Sequence, residues 1–279
     1  MASTWLRYNG APLVRSGSVV GIPSVGQCTL RCQFMAGYDP SRFTVGESIT
    51  LVDAVDNVWD VHDSRGSWSD TFGDDFGNTP RAYLVRVIDA DATGVTSMDG
   101  AFEYSYNLTD VKIRNMGSVT DASRMFSQSA VRSVELYGMG SSFTNMYRMF
   151  YYCSRLEEAP FFDTSSVVNM QDSFGGIRKL KTLPLYSTQN VQNMYMMCAG
   201  CEELEAIPLL RTDSVQNIEY AFLGCFRVKT GALALYQQAS SQATPPSRYG
   251  QAFEYCGRDD PEGAAELAQI PTSWGGTMV

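Results

Sequence analysis

With 279 residues, 44% of them hydrophobic, the chain is long enough to bury a sizeable core across more than one structural unit. Its net charge of -9 and isoelectric point near 4.7 argue against nucleic acid as a partner, because neutralising phosphates needs clustered Lys and Arg and no basic stripe occurs. Apolar stretches run only a few residues, so no membrane insertion is expected.

Residues 1–90 show no repeat and are expected to form a small β-rich N-terminal domain. Short alternating or β-branched runs at 13–20, 28–34, 48–52 and 82–88 are separated by Gly, Pro, Asp and Ser clusters. Within the second run Cys28, Leu30, Cys32 and Phe34 alternate with polar residues, which puts all four on one strand face. Trp59, Trp68, Phe72 and Phe76 lie in a polar, Gly-rich segment and are read as anchors holding a long loop onto the sheet, with an exposed aromatic contact as the alternative. The sole histidine, His62, has carboxylates nearby but no nucleophile-elbow Ser or Cys in its context. It reads as a surface or loop residue. Asp74 to Gly77 spells the letters of a kinase metal motif, without the phosphate loop, paired Lys and catalytic Asn that such chemistry needs. Calcium held by Asp70, Asp74 and Asp75 is the remaining option there, but the spacing matches no derivable loop, so no metal is assigned.

From 91 to 229 the chain repeats every twenty-four residues. Phe102, Phe126, Phe150, Phe174, Cys198 and Phe222 form one column. Met98, Ala122, Met146, Met170, Met194 and Ile218 form a second, and Val95, Val119, Phe143, Val167, Val191 and Val215 a third. Such a period is the signature of a solenoid, in which each coil buries its apolar face only against its neighbours. Spacings of three, four and three (Val95, Met98, Phe102, Ser105) trace one face of a short helix, with Asp163 to Ser166 supplying N-cap oxygens. A strand is expected to follow in each coil, carrying apolar pairs such as Val111 and Ile113, Val134 and Leu136, Leu183 and Leu185, and Ile207 and Leu209. Pro160, Pro184 and Pro208 sit beside these strands, where a donor can be spared. Each coil is thus expected to be helix, turn, strand, turn.

Most of the seven cysteines occupy positions that want a small hydrophobe, as Cys153, Cys201 and Cys225 do in one shared slot. Cys198 and Cys201 form a CxxC, but Cys198 falls in the Phe column and no further ligands occur at zinc-finger spacing. Core thiols are therefore expected, rather than a redox pair or metal site. The Asn145, Asn169, Asn193 and Asn217 column reads as a structural ladder satisfying turn amides and carbonyls, with a glycan- or ion-binding row as the alternative. The Asn107-Leu108-Thr109 sequon matters only in a secreted protein. Tyrosines carry the functional signal. Tyr147 and Tyr195 share a slot that is polar elsewhere, while Tyr104, Tyr106, Tyr151, Tyr152 and Tyr220 replace polar or tiny residues. Of these, Tyr147, Tyr151, Tyr152, Tyr195 and Tyr220 are expected on a solvent-facing recognition face, where flat rigid rings offer contact area at low entropic cost. Scattered surface tyrosine is the alternative. Beyond 229 the period breaks, and residues 230–279, with helical patterns at 229–240 and 264–269, are expected to form a helical C-terminal cap.

The strings Phe162 to Met170, Asn145 to Cys153 and Asn193 to Leu204 resemble the BspA-type leucine-rich repeat of bacterial surface proteins. Ala122 for Met, Ile177 for Cys and Cys198 for Phe depart from that pattern. The tail from Gly231 to Gly276 is similar to the ends of such proteins in gut Bacteroidales and their bacteriophages. The resemblance implies binding or adhesion, with no catalytic residues and no cofactor. The fold expected is α+β, a leucine-rich-repeat solenoid of twenty-four-residue helix-turn-strand coils between a β-rich domain and a cap. Cell-surface members carry a leader and an anchor, whereas the opening MASTWLRYNGAPLVRSGSVVG lacks the features of a secretory signal. A virion protein, made in host cytoplasm and released by lysis, needs none. The expectation is a non-enzymatic bacteriophage virion structural protein (fibre, decoration or tail-associated). Its N-terminal domain would meet other virion proteins and its repeats a host cell-surface protein or glycan, in many copies or as a homo-oligomer. The alternatives are a secreted bacterial adhesin at the cell surface whose leader is missing, and a purely architectural virion subunit.

Overall fold

The computed structural model describes residues 7–8, 11–12, 29–43, 45–69, 71–72 and 80–277. A two-stranded antiparallel ribbon pairs β1 (Arg7–Tyr8) with β2 (Ala11–Pro12). The main sheet has six strands: β3 (Thr29–Phe34), β4 (Ser48–Asp53), β5 (Val58–His62), β6 (Leu84–Asp91), β7 (Asp110–Arg114) and β8 (Ser133–Leu136). Their spatial order is β4-β5-β3-β6-β7-β8, antiparallel as far as β6 and parallel beyond it. Alternation sets the inward faces. Leu30, Cys32 and Phe34 of β3 are buried, as are Val111 and Ile113 of β7. On the opposite face of β3, Arg31 makes a two-pronged ion pair with Asp60 of β5, at 2.7 and 2.8 Å. Because β6 pairs with β3 on one side and β7 on the other, the sheet runs without a break through residue 90.

The core is one continuous cluster from Leu30 to Trp274. Trp68 and Phe72 are fully buried in it, and Phe72 packs 6.3 Å from Phe34 of β3 and 5.7 Å from Phe102, which fastens that segment to the sheet, whereas Trp59 belongs to strand β5 itself and not to a loop. Phe102, Phe126, Phe150 and Phe174 follow in a stack with centroid separations of 5.5, 5.3 and 5.4 Å. The Met and Val columns are buried throughout. Cys28, Asp70 and the Asp74–Gly77 stretch, including Phe76, lie outside the described residues, as does the run at 13–20.

The secondary structure corrects the expected fold class. Apart from a 3-10 turn at Met116–Ser118, no helix forms between β6 and residue 231. Among the described residues the regular structure is the two-stranded ribbon, the mixed sheet, a few 3-10 turns and three short α-helices: α1 (Pro80–Tyr83), α2 (Ala232–Ser240) and α3 (Pro261–Leu267). A solenoid of helix-turn-strand coils is not what this chain builds. Its three-four-three spacing arises from consecutive tight turns, in which every fourth residue takes a left-handed backbone. Gly100, Arg124, Arg148, Asp172, Met196 and Tyr220 do so at one slot, and Tyr104, Gln128, Tyr152, Gly176, Gly200 and Gly224 at the next. A helix would send each N–H four residues back. Here the amides of Met146, Arg148, Phe150 and Tyr152 donate forward to the carbonyls of Asn169, Gln171, Ser173 and Gly175 in the following layer. On another wall the direction reverses, with Thr144 donating to Thr120, Val168 to Thr144 and Gln192 to Val168.

Strands also give out sooner than expected. After β8 the parallel pairing shrinks to single-residue bridges such as Asn145 with Asn169, Asn169 with Asn193, and Glu158 with Thr182. Pro160, Pro184 and Pro208 have no amide to extend the ladder. Leu183 and Ile207 point inward, but Leu185 and Leu209, expected on the same strand face, are exposed. The C-terminal segment is likewise no helical cap. α2 and α3 are separated by a further layer of turns, where Phe253 stacks 6.0 Å from Phe222. The ring of Trp274 then lies against Tyr249 and Phe253, at 4.5 and 6.5 Å.

Candidate functional site: a tyrosine cluster on the turn layers

The turn that follows Met146 places Tyr147 and Arg148 on the surface, and the next turn presents Tyr151 and Tyr152. The Arg148 guanidinium lies 5.1 Å from the Tyr147 ring centroid and 4.8 Å from that of Tyr151, so one cation is shared between two aromatic faces. Tyr151 and Tyr152 meet edge to face at 4.5 Å. Below them Asp172 reaches Arg148 at 3.4 Å, with only 5% of its side chain exposed. Burial raises the Asp172 carboxyl above its ordinary pKa, and Arg148 only partly offsets that. Burial also raises the Tyr151 phenol, with a further contribution from Tyr152.

Two glycines in the next layer seat the rings. A Cβ on Gly175 would stand 3.3 Å from the Tyr151 ring, and one on Gly176 would stand 2.9 Å from that of Tyr152. Tyr152 itself has φ 54° in a slot that glycine fills in the three following layers. A bulky residue in the left-handed region costs about 1 kcal/mol or more, so the slot does not by itself select Tyr. Its side chain is what the position keeps.

Of the five tyrosines expected to be exposed, only Tyr152 is, at 50%, while Tyr147, Tyr151, Tyr195 and Tyr220 are half-buried. They form two groups rather than one row. Tyr147, Tyr151 and Tyr152 gather around Arg148, and Tyr195 meets Tyr220 edge to face at 5.8 Å. Sequence reasoning missed Arg148 and Asp172, which fall in the same repeat slot one layer apart with opposite charge. The paired glycines were the other available signal. Together the groups offer flat apolar rings edged by hydroxyls and one cation, suited to stacking on a sugar ring or a peptide side chain.

The remaining candidates are structural or stand apart. Asn145 accepts the Tyr147 amide on its Oδ1 and donates to Asp121, while Asn169 accepts from Gln171 and donates to Asn145. That is the expected ladder. Cys32, Cys153, Cys198, Cys201, Cys225 and Cys256 are free and buried. The thiols of Cys153, Cys201 and Cys225 donate to the carbonyls of Phe126, Phe174 and Cys198. His62 sits at the end of β5, 3.8 Å from Glu47. Among the described residues no cluster of three or more His, Cys, Asp or Glu could hold a metal, and no helix is long and apolar enough to cross a membrane.

No curated protein and no solved structure matches this chain. A family described as "Mycoplasma protein of unknown function, DUF285" matches at residues 83–159 and 139–233. The two stretches take in β7, β8, the Phe stack and the whole tyrosine cluster, and cover more than half of the sequence. The chain belongs to the DUF285 family.

Proposed function

We propose that this protein is a non-enzymatic recognition protein built on BspA-type repeats, and that it serves as a bacteriophage virion component contacting a host-surface glycan or protein. The observation that carries the reading is the Tyr147–Arg148–Tyr151–Tyr152 cluster, whose rings are held by one cation and seated on Gly175 and Gly176. Support for the BspA-type assignment comes from the repeated Asn-Met, Met-Phe and Cys columns, and from membership of a related family. Buried free thiols in all six described cysteines support folding in a reducing cytosol, where virions assemble. Each site contributes a weak contact, and many copies on one particle, docked to other virion proteins through the N-terminal β-strands, supply the avidity.

The test is binding of purified protein, displayed multivalently on beads, to a glycan array and to intact bacterial cells. Y151A, Y152A and R148A together should abolish retention while leaving the circular-dichroism melt within a few degrees of the parent. Undiminished retention by the triple variant would remove the cluster from the account. Detection of the chain in purified virions by mass spectrometry tests the location, and its presence only in cell-envelope fractions would favour the bacterial adhesin instead.

A further inference from the structure

A second surface, on a different wall from the tyrosines, carries a repeated apolar column. Phe161, Leu185 and Leu209 recur at the twenty-four-residue step and are 75%, 63% and 56% exposed. One large apolar side chain projects from each of three successive layers, with the half-buried Pro160, Pro184 and Pro208 beside it. Scattered exposed hydrophobes are ordinary, but a contiguous stripe marks a contact surface.

A few residues away along the same segments runs a charged row in the order Glu157, Lys181, Glu205, Lys229. Within the chain Lys181 meets Glu157 at 2.7 Å and Lys229 meets Glu205 at 3.2 Å, and all four remain about half exposed. The alternation decides what can face this wall. Reversed end to end, the row reads Lys, Glu, Lys, Glu, which is its own complement.

We propose that this wall is a homodimer interface, with a second copy of the chain packed face to face and running in the opposite direction. A two-fold axis along the strand direction, midway between the Lys181 and Glu205 layers, brings each column against the same column of the other copy. Leu185 then meets Leu209 of the second copy, Glu157 meets its Lys229, and Lys181 meets its Glu205. A shift of one layer would set Glu157 against Glu205, so the charges fix the register while the apolar stripe supplies the burial. Prolines along the segments lack the amides for edge-to-edge pairing, which leaves packing through side chains. This interface does not depend on the tyrosine cluster and leaves it free.

Sedimentation velocity over the micromolar range tests it on the full chain. The parent should dimerise, and more weakly at high salt. L185E, at an exposed position, should be monomeric with an unchanged thermal melt. K181E should weaken dimerisation at least tenfold, and adding E205K to it should restore most of the loss, because the reversed pair again faces its complement. A monomeric parent, a dimer indifferent to L185E, or a double variant no better than K181E would each overturn the proposal. Glycan or cell binding is read separately, so failure here leaves the tyrosine reading standing.

Discussion

Cys198 interrupts the phenylalanine column, and the structure shows what occupies the space. The Tyr186 ring, 2% exposed, stacks on Phe174 at 5.8 Å and 16°, and its hydroxyl donates to the Pro160 carbonyl at 2.6 Å. Burial pushes the Tyr186 phenol well up, with a smaller contribution from the Cys198 thiol. Restoring the column with C198F therefore overfills the layer and should destabilise by about 1–3 kcal/mol, although it returns the residue the repeat pattern favours. Y186L, which installs the leucine that the next layer carries at Leu210, loses a stacked ring and a hydrogen bond, together about 2–3 kcal/mol. Combined, the two changes should recover about 1–3 kcal/mol relative to their sum, because the new phenyl enters the space the tyrosine vacates. Urea titrations of the parent, both single variants and the double variant supply the cycle, compared at constant m value. Additivity within about 0.5 kcal/mol, or a C198F protein more stable than the parent, would show that Tyr186 does not fill the gap.

Other consequences are quicker to state. F150A removes a fully buried ring between two stacked neighbours and should cost about 3–5 kcal/mol in urea unfolding, whereas Y152A at the exposed rim should cost about 1 kcal/mol or less. N169D keeps the acceptor for the Gln171 amide but replaces the donor to Asn145 with a carboxylate oxygen, costing about 1–3 kcal/mol near neutral pH. Protonating that carboxyl restores a donor, so the deficit relative to the parent should shrink in thermal melts as pH falls through the carboxylate range. Asp63 and Asp91 are almost wholly buried. Burial alone would raise their carboxyls, but hydrogen bonds from Arg65 and Thr71 to Asp63, and from Thr93 and Asn115 to Asp91, hold both below the ordinary value. Depressed carboxyls stabilise the fold above their unfolded pKa near 4 and lose that contribution as pH drops through the folded value. Asp172 acts oppositely, its raised carboxyl favouring the fold at low pH and losing that effect as pH rises. The acid melt of D63N should accordingly be flatter below about pH 4 than that of the parent, and a parallel slope would argue against the assignment.

Much of the packing was legible in the sequence, and the local backbone was not. Three apolar columns and the asparagine ladder follow from spacing alone, because a repeat that stacks must return the same side chain to the same depth. A three-four-three pattern suggests helices, but tight turns reproduce it, since a left-handed residue at every fourth position also brings residues three and four apart to one face. Arg124, Gln128, Arg148 and Met196 adopt φ near 50–56° without being glycine or asparagine, so composition concealed the turns. Only Gly100, Gly176, Gly200 and Gly224 gave them away. Leu185 and Leu209 were misplaced for a related reason: alternation holds along a regular strand, and the segments around Pro184 and Pro208 are not strands. At the tyrosine cluster the aromatics stood out by type. Their half-burial was hidden, because it depends on glycines one layer away.

The opposed directions of the interlayer hydrogen bonds bear on how the chain can vary in length. The amides of Met146, Arg148, Phe150 and Tyr152 point toward the C-terminal end, while those of Thr144, Val168 and Gln192 point back toward the start. Peptide dipoles aligned along one wall are thus countered by those along the other, and inserting or excising a whole twenty-four-residue period leaves this cancellation intact. Adding or removing a period therefore changes the net dipole of the stack little, so period number can change at little electrostatic cost.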